Sequence, residues 1–135
     1  MNRTPVQLVA TLVGLSFLAA GVGGFIPGIT DNVGNIPLYG HDSPAKLLGI
    51  FQVSVLHNII HLIFGLAGLM MAKASAKTYL VGGGIIYLAV WVYGMYAGAG
   101  LDMVGLNHAD NLLHLGAGGG MVVLGLLLGK ARVSA

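Results

Sequence analysis

The chain has 135 residues, 56% of them hydrophobic, with six Lys/Arg, four acids and a formal charge of +2. A soluble helical domain of this size carries far more charge on its surface. The long uncharged runs therefore place the chain among integral membrane proteins, and so small a basic excess excludes a nucleic-acid surface. Cysteine is absent, which excludes a disulfide framework, a thiolate metal site and a cysteine nucleophile.

The first apolar segment covers about residues 6–25. Arg3 before it and "FLAAG" near its end resemble a leader, but the apolar run is long for one, so it reads as a membrane helix. A long loop rich in Gly, Pro, Asn and Asp follows. Ser43 and Pro44 read as an N-cap and first helical position, which predicts a second helix over about 44–71 with "PAKLLGIF" as interfacial first turns. After the short basic turn "AKASAK" comes a third helix, about 79–98. Its Gly94 and Gly98 form a GxxxG pair, and Tyr87, Trp91, Tyr93 and Tyr96 cluster toward one end. Tyr96 is predicted as an interface anchor, Tyr87 and Trp91 as packing residues. The fourth helix, about 108–128, begins at "NHAD", where Asn107 can cap and Asp110 favours the positive helix end.

Each segment has roughly the 20 residues needed to cross a bilayer core of about 30 Å. Backbone groups in lipid must bond internally, so the segments are predicted as helices; barrel strands are shorter and alternate. Arg3, Lys73, Lys77, Lys130 and Arg132 fall on one side, Lys46 and all four Asp on or near the other. The positive-inside rule then places both termini in the cytoplasm.

"HNIIH" at 57–61 and "DNLLH" at 110–114 align at an offset of 53. The alignment also pairs Ser54 with Asn107 and Gly65 with Gly118, and these positions form one narrow stripe on each helix. The predicted fold is an all-α membrane protein: a single domain over 1–135, a four-transmembrane-helix bundle of two tandem hairpins in parallel repeat. Glycines such as Gly14, Gly21, Gly24, Gly116, Gly118, Gly119, Gly120 and Gly125 suit close helix packing.

The candidate site is the polar cluster His57, Asn58, His61, Asp110, Asn111 and His114. Ionisable groups at such depth usually face the bundle interior. Three readings compete. In the leading one the cluster is structural, cross-linking helices two and four with no cofactor. In the alternative, His57, His61, Asp110 and His114 hold a divalent metal, or His61 and His114 ligate a b-type haem, for electron transfer. A proton path is the third, but no acid lies deeper. A zinc protease is excluded because Asn58 stands where HExxH needs the Glu base. No Ser-His-Asp order appears, and "GGG" at 82–84 lacks the residues of a phosphate loop. No catalytic set is therefore assigned.

"GIFQVSVLHNIIHLIFGLAGL" at 49–69 and "ADNLLHLGAGG" at 109–119 carry LHNxxHLxxG and DNxLHL signatures. With four membrane helices and a long first outer loop, the chain resembles a bacterial domain-of-unknown-function family of small four-helix membrane proteins. The resemblance implies the fold and a bacterial inner-membrane location; it supplies no activity. The expected role is a non-enzymatic structural module or accessory subunit. Its expected partners are the lipid bilayer and another membrane protein or a second copy of itself.

Overall fold

The computed structural model describes residues 2–130. Thr4 opens α1 (Pro5–Gly23): its hydroxyl accepts the Gln7 N–H, and the Gln7 side chain accepts the Thr4 N–H in return. Beyond α1 the long loop carries a small antiparallel sheet, in the order β1 (Thr30–Asp31), β2 (Lys46–Leu47), β3 (Phe51–Gln52), with a 3₁₀ turn at Val33–Asn35. Four more helices follow: α2 (Val55–Met71), α3 (Ala76–Tyr96), the short α4 (Gly98–Leu101) and α5 (His108–Leu128).

Residues 44–54 correct the sequence prediction, because they form strands and turns rather than the start of the second helix. Ser43 makes a local turn, its Oγ accepting Ala45 N–H at 3.1 Å. Leu48 (φ +55°) and Gly49 (φ +72°) then reverse the chain between β2 and β3, a left-handed geometry that glycine adopts at no cost. The cap of α2 is Ser54, whose Oγ accepts the His57 N–H at 3.1 Å. The helix is thereby 17 residues long, whereas α1, α3 and α5 are each long and apolar enough to cross a membrane. Gly98, at φ +65°, lies beyond the end of α3, so the expected Gly94/Gly98 pair does not share a helix face.

α1 packs along α2 and α3 along α5, and the two pairs meet chiefly through α1 and α3. A β-carbon on Gly65 would lie 2.6 Å from Leu18 N and 2.7 Å from Gly14 O. In the other pair, a β-carbon on Gly118 would lie 2.9 Å from Gly84 O and 3.0 Å from Leu88 N. Gly116, Gly119 and Gly120 differ: nothing lies within 4 Å of an added β-carbon, so these three do not mediate close approach. A buried cluster of Ala10, Ala72, Ala76, Tyr79, Leu80 and Met121 fills one end of the bundle. Leu8, Leu12, Ile63, Leu66, Ile85, Leu112 and Leu126 are exposed around the helices. So broad an apolar exterior is compatible with lipid contact and unlike a soluble surface.

Charge divides the two ends. Gln7 Nε2 donates to Lys73 O at 2.7 Å, tying the start of α1 to the turn after α2. Lys77 lies beside Gly129, so Lys73, Lys77 and Lys130 gather at this end; Arg132 lies outside the described residues. The sheet and the α4–α5 connection form the other end. There Asp102 accepts from His41 Nδ1 at 2.7 Å and from the N–H groups of Val104, Gly105 and Leu106. The bond to Asp102 raises the His41 pKa against a smaller opposing effect of burial. Burial opposes ionisation of Asp102, but His41 and the three N–H donors outweigh it and hold that pKa below the usual value.

The signs define a pH window. The His41 contribution is complete below its ordinary value of about 6.5 and is lost as pH rises through the raised one. The Asp102 contribution is complete above its ordinary value of about 3.9 and is lost as pH falls through the lowered one. Amide exchange at Val104, Gly105 and Leu106 is therefore expected to be slowest, after correction for intrinsic rate, between about pH 4 and 6.5. Asp102→Ala, which orphans three N–H groups, is expected to cost about 2–3 kcal/mol in thermal unfolding and to erase this window.

Candidate metal centre

His57 and His61 stand one turn apart on α2, at positions set by the Ser54 cap, and His114 stands on α5. Their exposures are 2%, 7% and 3%, so all three are more than nine-tenths buried. The ring centroids lie 4.6 Å apart for His57 and His61, 5.8 Å for His57 and His114, and 6.5 Å for His61 and His114. One ring nitrogen from each can be chosen so that all three lie within 4.8 Å of one another. Two ligands on one ion at about 2.0–2.1 Å sit roughly 3.3 Å apart.

The other three cluster residues point elsewhere. Asp110 is buried, but its Oδ2 accepts the Asn107 N–H at 3.0 Å while Asn107 Oδ1 accepts the Asp110 N–H. This reciprocal cap commits the carboxylate to its own helix end, and Asp110 is not among the converging groups. The Asn58 amide packs against Gly24, where a β-carbon would overlap it. Asn111 Nδ2 donates to Gly94 O at 3.1 Å. Each Asn thus serves its own helix pair, and neither bridges α2 to α5. The direct ties between the two helix ends come from outside the predicted cluster. Ser54 Oγ donates to Val104 O at 2.7 Å, and Asn107 Nδ2 donates to Ile50 O at 2.8 Å.

Among the described residues, both ring nitrogens of His57 and the Nδ1 atoms of His61 and His114 are buried without a hydrogen-bond partner. The Gln52 backbone approaches the His57 ring without reaching hydrogen-bond geometry. Asn58 and the Asn111 Oδ1 are likewise unpaired. Buried polar atoms are nearly always satisfied in folded proteins, so unpaired nitrogens on three converging rings call for an electrophile or a donor between them. Their chemistry is that of a neutral nitrogen set for a transition ion.

Two aromatic neighbours complete the surroundings. Tyr87 sits 5.2 Å from His114, Phe17 sits 5.8 Å from His61, and the two aromatics are 4.8 Å apart. Sequence reading treated Tyr87 as packing and overlooked Phe17. The available signal was an offset of 70 that relates Phe17 to Tyr87 and Gly24 to Gly94. His108 is exposed at the start of α5, and His41 is held by Asp102 in the loops at the same end of the bundle as the sheet.

A search of curated proteins and a search of solved structures each returned no match. A family profile described as a domain of unknown function covers residues 7–127, nearly the whole chain. On that match, the chain belongs to the domain-of-unknown-function family DUF4383.

Proposed function

We propose that this protein is a four-helix membrane protein that holds a single zinc or copper ion at His57, His61 and His114. The observation that carries the reading is the convergence of three buried, unpartnered imidazoles from two helices. Imidazole nitrogen suits both metals, and three protein ligands leave a fourth position for a further group. Asp110 drops out of the ligand set because it caps α5. The purely structural reading expects ring–ring or ring–Asn hydrogen bonds across α2 and α5, and the described residues contain none. The haem reading places a porphyrin between His61 and His114, where the His57 ring already lies 4.6 and 5.8 Å from the two.

α2 joins α1, α3 and α5 as a membrane crossing in this reading. Its 17 residues span about 26 Å, and it packs along α1. Two tandem hairpins in parallel repeat account for the matched contacts Gly14–Gly65 with Gly84–Gly118, and Gly24–Asn58 with Gly94–Asn111. The end bearing Lys73, Lys77 and Lys130 faces the cytoplasm of a bacterial inner membrane, and the histidines sit in the outer leaflet. The exposed apolar faces are available to lipid and to a partner subunit or second copy.

Purification in mild detergent, with metal analysis and an absorption spectrum before and after loading with Zn²⁺, Cu²⁺, Cu⁺ or haem, tests the assignment. The expected result is one zinc or copper per chain and no Soret band. A folded protein that takes up neither metal stoichiometrically, or a Soret band lost on His61→Ala and His114→Ala, overturns it.

A further inference from the structure

Two of the three imidazoles do not lie in a closed core. A groove of about 330 Å³ runs between α1 and α5, and His61 and His114 form part of its wall. Phe17, Tyr87, Ala117 and Gly120 supply much of the rest. Leu113, Gly116, Gly120 and Leu124 are exposed along one flank, so the groove opens sideways, onto the apolar exterior.

The opposite seam, between α2 and α3, shows what closes such a groove. Ile63, Phe64 and Ala67 stand 53 residues before Gly116, Ala117 and Gly120. Phe64 fills that seam: its ring lies 4.9 Å from Tyr87 and 5.9 Å from Tyr79, and a β-carbon on Gly83 would come within 3.0 Å of it. In the α1–α5 seam, alanine and glycine stand where the aromatic and isoleucine stand in the first. One seam is plugged, and the other is open beside two histidines.

We infer that the open groove binds a membrane-dissolved molecule of the quinone class, with a ring oxygen at His61 and His114 and an apolar tail along Gly116, Gly120 and Leu124. Depth selects this occupant. His61 and His114 are each seven residues into their helices, roughly 10 Å from the helix starts. At that depth a phospholipid presents only methylene groups, which leave the buried ring nitrogens unpaired. A quinone carries a flat ring that matches the Phe17 and Tyr87 faces and an oxygen that answers the imidazoles. That oxygen accepts an imidazole N–H or takes the position that three histidines leave open on the ion. The inference rests on the imidazoles of the metal reading, and the test keeps the two apart.

The probe is a decyl-substituted benzoquinone, titrated into metal-free and zinc-loaded protein in detergent micelles, with empty micelles as the partition control. Ala117→Phe transplants the α2–α3 plug, and Gly116→Ile and Gly120→Leu are two further fillers. Gly116 and Gly120 each have open space around an added β-carbon, so these two fillers leave the fold intact. The expected result is one quinone per chain, weakened at least tenfold by each filler, with zinc content unchanged and the unfolding temperature of the two glycine fillers not lowered. Quinone uptake no greater than that of empty micelles, or uptake indifferent to all three fillers, overturns the inference while leaving the metal reading standing. A phospholipid that mass spectrometry finds retained one per chain, lost in the fillers and not displaced by quinone, overturns it in favour of lipid. Filler-sensitive quinone binding in a protein that takes up no metal sustains this inference and removes the metal.

Discussion

Gly65→Leu is expected to abolish the folded, monodisperse protein in detergent, whereas Gly116→Leu leaves it intact or slightly more stable. Both residues are helical glycines in apolar surroundings, and only their neighbours differ. At Gly65 the new β-carbon meets Leu18 N at 2.6 Å and Gly14 O at 2.7 Å. These are backbone atoms of α1, so no rotamer change relieves the overlap and the two helices must separate. Ordinary overpacking costs about 1–3 kcal/mol. Forcing apart a helix pair held by close backbone approach exceeds that range, because membrane helices lack a hydrophobic drive to repack. At Gly116 nothing lies within 4 Å, and the substitution adds up to about 1 kcal/mol of helix propensity. Size-exclusion profiles and thermal unfolding read the contrast. A Gly65→Leu protein that elutes and melts like the parent would show that α1 and α2 do not pack as described.

His57→Leu is expected to act with opposite signs in the presence and absence of metal. The metal-free parent buries two ring nitrogens of His57 without partners, at a cost of about 1–3 kcal/mol. An apolar side chain there removes the cost, so the metal-free variant melts at or above the temperature of the metal-free parent. The metal-loaded parent gains about 2.7 kcal/mol when free ion stands at 100 times its Kd. The variant has two ligands in place of three and loses that gain, with affinity lowered by roughly 100-fold or more. If His57 were instead a structural tie, the variant would melt lower whether or not metal was present. Unfolding scans of both proteins, with chelator and with zinc, decide between the two patterns.

The histidine pair at 57 and 61 was legible because helical periodicity alone puts residues four apart on one face. The repeat offset of 53 also singled out His114. The Asn107 cap was legible from local chemistry, since it needs only the next three residues. The sheet at 44–54 was not legible. Ser43–Pro44 satisfies the local rule for a helix start, and what overrides it is the pairing of Lys46 with Gln52 across a short hairpin and with the more distant Asp31. Asp110 had two readings, as an acid at the helix start and as a candidate ligand. Its spacing fits a ligand as well as a cap, and only the fold shows its carboxylate turned to Asn107 N–H.

The sequence by itself determined a membrane-compatible class, because charge content and the length of apolar runs are one-dimensional properties. It also determined which residues face inward on α2 and α5, because helical period fixes relative azimuth. Only the tertiary structure decided which inward residues meet. Pairing α1 with α2 and α3 with α5 sends Asn58 to Gly24 and Asn111 to Gly94, and it leaves His57, His61 and His114 to one another. Distance between helices depends on the side chains of both, and no single helix carries that information.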